Sequence, residues 1–171
     1  AELDSLSDFI SFGVAPSILI YFWTLTSLNS LGWSVVLFFA ACAALRLARF
    51  TADIYLTNKP IDSTVYFTGI PSPAAAGLTL LPLFIYFEFD LSIIKNSYLN
   101  FFNLAIIGFL MISKIPTISL KSINFSKKIA PWIVLLIVLI CIGLISNLWL
   151  TLIVLALTYI ISILYTIINS R

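Results

Sequence analysis

Long apolar runs separated by short polar segments dominate the chain. The runs that we interpret as spans lie at about 9–28, 33–50, 70–87, 96–113, 129–146 and 148–168. Each run approaches the roughly 20 residues that a helix needs to cross the hydrocarbon core of a bilayer. The pattern therefore predicts an all-α protein with six transmembrane helices, in one membrane domain that covers residues 1–171.

Breaks inside these runs predict where the helices bend or end. Gly13 and Pro16 lie near the middle of the first run, where proline removes a backbone hydrogen bond, so we expect a kink there. The last apolar tract, 129–168, is too long for one span. Gly143 and Asn147 near its middle indicate a tight turn between two helices.

The composition supports a membrane protein and excludes several kinds of chemistry. Hydrophobic residues make up 61% of the chain and charged residues 9%, whereas soluble domains carry about 25% charged residues. The net charge of +2 gives no argument for nucleic-acid binding. Histidine is absent, which excludes imidazole bases and histidine-ligated metals. Cys42 and Cys141 lie within apolar runs, where we expect small buried side chains rather than a disulfide.

The basic residues predict the orientation of the chain. With six spans, every basic residue except Lys95 falls on one side of the membrane. That side holds Arg46, Arg49, Lys59, Lys114, Lys121, Lys127, Lys128 and Arg171. Because cytoplasmic loops carry the excess of Lys and Arg, we expect both ends of this chain on the cytoplasmic side of the cell membrane.

Two carboxylates precede the first apolar run. Asp4 and Asp8 are four residues apart, so in a helix they share one face. Such a pair can hold a divalent metal, or one member can hold the metal while the other acts as a general base. The alternative is that Asp4 caps the helix and Asp8 is a solvated acid in its first turn.

A group of cationic and helix-start residues belongs to the same side of the membrane. Arg46 and Arg49 lie three apart at the end of the second run, and Lys59 follows in the polar segment. Pro71 and Ser72 open the third run, where proline suits a helix start. Arginine near carboxylates at headgroup depth indicates a phosphate ligand. The alternative is that both arginines extend to the interface as anchors only.

Four stretches together resemble one known family. Residues 1–16 contain Asp4, Asp8 and Pro16 in the spacing of the second half of the signature of CDP-alcohol phosphotransferases, G-x3-D-x3-D. The stretches 45–50 and 67–77 are also similar to that family, and 113–116 more weakly. Within the family, the chain most resembles bacterial and archaeal phosphatidylserine synthases. The resemblance extends to about residue 125.

The resemblance implies a fold and a missing part. The fold is the helical bundle of that family, with six helices in this chain. The first half of the signature, D-x2-D-G-x2-A-R, is absent from the sequence. We therefore expect two further family helices upstream of Ala1, eight spans in the intact protein, and little activity from this chain alone.

The resemblance also implies a reaction. A phosphatidyl or archaetidyl group would pass from CDP-diacylglycerol or CDP-archaeol to the hydroxyl of L-serine, and CMP would be released. By resemblance, Asp4 and Asp8 hold the divalent metal, Mg²⁺ or Mn²⁺, and Asp8 is the base. The substrate-binding candidates are Arg46, Arg49, Lys59, Pro71 and Ser72. The family also implies a homodimer in the lipid membrane.

Three other functions remain open from the sequence. A related transferase would use glycerol phosphate or inositol phosphate as acceptor, and the extra phosphate would need more cationic side chains. An ion-coupled transporter or channel subunit would use the aspartate pair as an ion site, but the chain has no inverted repeat. A non-catalytic assembly protein would tolerate the loss of Asp4 and Asp8.

Overall fold

The computed structural model describes the backbone of residues 2–56, 66–113, 116–118 and 130–169, and the side chains of 3–49, 69–113 and 133–165. Helices form nearly all of this part of the chain, which confirms the all-α class. The helices are α1 (Glu2–Phe9), α2 (Ala15–Trp23), α3 (Ser30–Leu56), α4 (Ser72–Phe89), α5 (Ser97–Ile112), α6 (Ala130–Ser146) and α7 (Leu148–Asn169). Short 3₁₀ turns, Leu25–Leu28 and Ser92–Lys95, connect α2 to α3 and α4 to α5.

The helix that contains most of the predicted first span, 9–28, begins before residue 9. The apolar helical stretch is Leu3–Trp23, because α1 continues through a π-helical turn, Ile10–Val14, into α2. In that turn the N–H of Ala15 donates to the carbonyl of Ile10, one residue further back than in an α-helix. The irregular turn lies where Gly13 and Pro16 predicted a kink. The helix thus includes polar residues before the predicted span, and the bounds of that span stay a prediction.

Four helical stretches are long and apolar enough to cross a membrane. They are Leu3–Trp23, Ser30–Arg49, Ser72–Phe89 and Leu148–Tyr165. Two shorter apolar helices, Ser97–Ile112 and Ile133–Ser146, correspond to the other predicted spans. The membrane class is supported by these helices, whereas a count of six spans stays a prediction.

The described residues of the segment predicted as a loop, 51–69, include parts of a helix and a strand. Helix α3 continues to Leu56, and strand β1 (Tyr66–Thr68) pairs antiparallel with β2 (Pro116–Ile118). Gly69 follows β1 with a φ of +83°, and a Cβ there would lie 2.7 Å from the carbonyl oxygen of Met111. Only glycine combines this backbone conformation with so close an approach. The start of α4 is therefore held beside the end of α5.

The core forms mainly between α3 and α5, which make the most extensive interhelical contact among the described elements. Phe39, Cys42 and Leu104 are buried there. Gly108 allows close packing, since a Cβ at this position would lie 3.0 Å from the ring of Phe38. Cys42 is buried as predicted, whereas Cys141 lies on the exposed surface of α6. Most described side chains of α6 are exposed, so burial of Cys141 was a wrong expectation.

The second half of the bundle turns at Asn147, between α6 and α7, as Gly143 and Asn147 predicted. A Cβ on Gly143 would lie 2.9 Å from Oγ1 of Thr151, so the two helices approach closely at the turn. Asn147 also donates from Nδ2 to Oε1 of Glu88 at 2.9 Å. This bond connects the turn to the end of α4, on which α7 packs extensively.

Candidate functional site

The acid pair lies on a helix, as the four-residue spacing predicted. Asp4 and Asp8 belong to α1 and both side chains are exposed. Asp4 is inside the helix, which begins at Glu2, so the idea that Asp4 caps the helix is wrong. The two carboxylates therefore occupy neighbouring positions on one helix face, accessible from outside the bundle.

Helix packing places the acid pair at the same end of the bundle as the arginines. The π-helical turn crosses α3 where a Cβ on Gly13 would lie 2.9 Å from the Cβ of Ala43. From this crossing Asp8 lies about 7.5 Å back along its helix, and Arg46 about 4.5 Å onward along α3. Because the short turn after α2 reverses the chain, both displacements point toward the same end.

Arg46 is the polar centre of this end of the bundle. It is half-buried, and its Nη1 donates to Oγ of Ser72 at 2.7 Å. Its Nε is buried and has no hydrogen-bond partner among the described residues. Ser72 is the first residue of α4, and Pro71 precedes it in an extended conformation. The guanidinium thus lies beside a helix amino terminus, where backbone N–H groups and the helix dipole favour an anion.

Tyr159 on α7 joins this centre, although the sequence analysis did not single it out. Its hydroxyl is buried without a partner among the described residues. Its phenol is close enough to the Arg46 guanidinium for an electrostatic interaction. In the sequence Tyr159 is one aromatic residue in an apolar run, so only the packing of α7 on α4 reveals its position.

Arg49 has a different environment from Arg46. It is exposed, and its Nη1 donates to the carbonyl oxygen of Ile112 at 3.2 Å. Ile112 is the last residue of α5, whose final carbonyls lack partners within the helix. Arg49 therefore supplies a hydrogen-bond donor to the carboxyl end of α5. Lys59, the third predicted cation, lies outside the described residues.

Asp4 and Asp8 could supply the protein ligands of a divalent metal. The described residues contain no group of three or more Cys, Asp and Glu side chains that would enclose an ion. Mg²⁺ is usually bound through one or two carboxylates together with substrate phosphates and water. Two exposed carboxylates on one face, Asp4 and Asp8, match that requirement without a closed protein site.

Comparison with known proteins shows the family of this chain. The sequence model of the CDP-alcohol phosphatidyltransferase family matches residues 1–113. The chain belongs to this family. The match runs from α1 to the end of α5 and includes the acid pair, both arginines and Ser72. It ends before α7, so Tyr159 lies outside the family match.

Individual relatives agree with this assignment. A CDP-diacylglycerol–serine O-phosphatidyltransferase of Mycobacterium leprae is 29% identical over 170 residues, which are 99% of this chain and 56% of that protein. Proteins with the same name in Helicobacter pylori and Methanocaldococcus jannaschii are 35% and 40% identical over 75% and 67% of this chain. These matches cover 52% and 47% of the two relatives. The chain thus spans about half the length of the curated relatives it matches.

Proposed function

We propose that this chain carries part of the active site of a phosphatidyltransferase that uses L-serine as acceptor. The lipid donor would be CDP-diacylglycerol or CDP-archaeol, and the products a serine phospholipid and CMP. One observation carries the proposal: the Arg46–Ser72 hydrogen bond lies at the same end of the bundle as the exposed acid pair. The names of the three relatives support serine as acceptor.

Binding is assigned to the cationic side of the site. The Arg46 guanidinium and the start of α4 would hold phosphate oxygens of the donor, because both present N–H donors to an anion. Pro71 orients the first turn of α4, and Ser72 orients the guanidinium. Arg49 and Lys59 were also predicted to bind substrate. Since Arg49 is bonded to Ile112, we assign the substrate contact to Arg46.

Chemistry is assigned to the acid pair. Asp4 and Asp8 would hold Mg²⁺ or Mn²⁺, which supplies neutralisation of the charge on the phosphoryl oxygens. Asp8 would take the proton of the serine hydroxyl. The serine oxygen then forms a bond to the phosphorus next to the lipid. The bond from that phosphorus to the CMP oxygen breaks, and CMP leaves with the electron pair.

The charge distribution supports the orientation and the setting. With the basic loops in the cytoplasm, the acid pair and Arg46 lie at the cytoplasmic surface of the cell membrane, where CMP is released directly into the cytoplasm. A homodimer is proposed from the family resemblance alone.

An acceptor that carries its own phosphate is the second candidate. It would need further cations beside those that bind the donor. At this end of the bundle the described side chains offer Arg46 and Arg49, and Arg49 is bonded to the end of α5. The names of the three relatives, rather than the number of cations, favour serine as the acceptor.

CMP release in detergent tests the proposal. The donor is a CDP-linked lipid, offered with L-serine, glycerol phosphate or inositol phosphate, each with Mg²⁺, with Mn²⁺ or with a chelator. The chain is measured alone and preceded by two family helices that carry the first half of the signature. Release that requires both serine and metal supports the reaction. Release with glycerol phosphate but not serine would keep the family and overturn the acceptor.

A negative result is also informative. If neither form releases CMP with any acceptor, the acid pair does not serve this chemistry. Metal-dependent ion flux through vesicles containing the chain would then support an ion site at Asp4 and Asp8 instead.

A further inference from the structure

An apolar cavity of about 190 Å³ separates parts of α4 and α7, although these two helices pack extensively elsewhere. Side chains and backbone from both helices line it. They include Ala74, Gly77, Leu78, Phe84, Leu152 and Ala156, and Tyr159 lies at one end. We call this cavity the α4–α7 groove.

Gly77 shows that the groove is open space rather than tight helix packing. A Cβ added at Gly77 would meet no atom within 4 Å. By contrast, a Cβ at Gly13 or Gly108 would press against a neighbouring helix. Ala75 and Ala76 on the same helix are buried, whereas Gly77 leaves room beside α7.

The walls of the groove are apolar, but buried polar groups lie beside one of its ends. Tyr159 lines it, and its buried hydroxyl has no partner among the described residues. At the same end lie the Arg46 guanidinium, with its unpartnered Nε, and Ser72 at the start of α4. The far end is formed by apolar side chains such as Phe84 and Leu152. A ligand that matches both ends has an anionic head and a hydrocarbon chain.

The dimensions suit a chain in one leaflet of a bilayer. Along α4, Phe84 lies about 15 Å from Ala74, from the helical rise per residue. This is half of the roughly 30 Å thickness of the hydrocarbon core. The volume of 190 Å³ exceeds the roughly 150 Å³ of an apolar protein cavity that binds benzene. The groove therefore reaches from headgroup depth toward the bilayer midplane, with space for part of a chain.

We propose that the α4–α7 groove binds one hydrocarbon chain of the CDP-linked lipid donor, and that Tyr159 donates a hydrogen bond to an oxygen of the same lipid. The proposal rests on the proposed function, because it takes the donor phosphate to lie at Arg46. Tyr159 is a positioning residue here, and Gly77 determines the width available to the chain.

Photolabelling tests the groove without requiring turnover. The chain is placed in phosphatidylcholine nanodiscs with a CDP-lipid whose chain ends in a diazirine, and labelled residues are mapped by mass spectrometry. We expect labels on the groove faces of α4 and α7, near Phe84 and Leu152. A phosphatidylcholine carrying the same diazirine should label these positions much less. Equal labelling by both lipids, or labels mainly on the exposed surface of α6, would overturn the proposal.

Filling the groove should remove this label. Gly77→Leu displaces roughly two methylenes of the bound chain, so we expect donor labelling to fall about tenfold. Ala41→Leu also introduces a leucine, on the exposed surface of α3, and should leave the labelling unchanged. If Gly77→Leu keeps full labelling while the protein stays folded, the chain does not lie there.

The role of the phenol is tested separately. Tyr159→Phe keeps the ring but removes the O–H, so donor affinity should fall about fivefold, as for one lost hydrogen bond. The KM for serine should not change, whereas a general loss of structure would change it as well. An unchanged donor affinity would remove Tyr159 from the site.

The two proposals fail in different ways. Groove labelling without CMP release for any acceptor would keep the groove as a lipid site and overturn the reaction. CMP release with serine, but no groove labelling, would keep the reaction and overturn the groove.

Discussion

The guanidinium of Arg46 donates from Nη1 to Oγ of Ser72 at 2.7 Å, across 26 positions of sequence. This bond connects α3 to the first residue of α4. Nε of the same guanidinium is buried and has no partner among the described residues. We propose that the two residues form one anion-binding unit, which neither helix contains alone.

The Arg46–Ser72 unit predicts a graded loss of donor affinity. Arg46→Lys keeps the charge but loses the planar fork, so we expect kcat/KM for the donor to fall about 10- to 100-fold. Ser72→Ala should lower it about fivefold, since the guanidinium loses one orienting bond. Steady-state CMP release measures both. Combining the variants should give less than the product of the single effects, and full multiplicativity would contradict a shared unit.

The acid pair predicts a loss of turnover without a loss of binding. Asp8→Asn should lower kcat at least about 100-fold, because the amide cannot accept the serine proton. Donor binding, measured by photolabelling, should change less than about threefold, because the introduced amide oxygen can still ligate the metal and Arg46 still binds the phosphate. Asp90→Asn is the matched control, because Asp90 is an exposed carboxylate at a φ of +49°, which asparagine also adopts. Retained turnover in Asp8→Asn would remove Asp8 as the base.

Arg49 predicts the opposite behaviour to Arg46. Arg49→Gln loses the bond to the carbonyl of Ile112, so the end of α5 should become less stable. Because the side chain is exposed, the decrease in unfolding free energy should stay below about 1 kcal/mol. Thermal unfolding in detergent measures this effect. The KM values for donor and serine should stay within about twofold, and a large rise in either would return Arg49 to the substrate site.

The close contact between Gly13 and Ala43 predicts that a variant at one position can be restored by a change at the other. Gly13→Ala places a Cβ 2.9 Å from the Cβ of Ala43, so the helices must separate and stability should fall by about 1–3 kcal/mol. Activity should fall too, because this crossing sets the position of Asp8 relative to Arg46. Gly77→Ala is the control for stability alone, since a Cβ there meets no atom within 4 Å but the residue lines the α4–α7 groove.

The reciprocal change completes that test. Adding Ala43→Gly to Gly13→Ala removes the opposing Cβ and should restore most of the stability and activity. If the double variant is no better than Gly13→Ala, contact with Ala43 is not the cause. Unfolding temperature and CMP release are measured on the same preparations.

The sequence by itself determined the class of this protein and the residues from which its site is built. Apolar runs of membrane-spanning length have no stable alternative to helices in a bilayer, because every backbone polar group must be satisfied within its own segment. The four-residue spacing of Asp4 and Asp8 likewise determines that they share a helix face. Their distance to any other helix does not follow from spacing within one helix.

Tertiary structure alone decided which of these residues act together. Arg46 and Arg49 look equivalent in the sequence, but the packing of α4 and α5 against α3 gives one of them Ser72 and the other Ile112. Tyr159 reaches the site only because α7 packs on α4. The α4–α7 groove depends on space beside Gly77 between two helices. Such contacts join residues far apart in the chain, and local hydrophobic periodicity carries no information about that pairing.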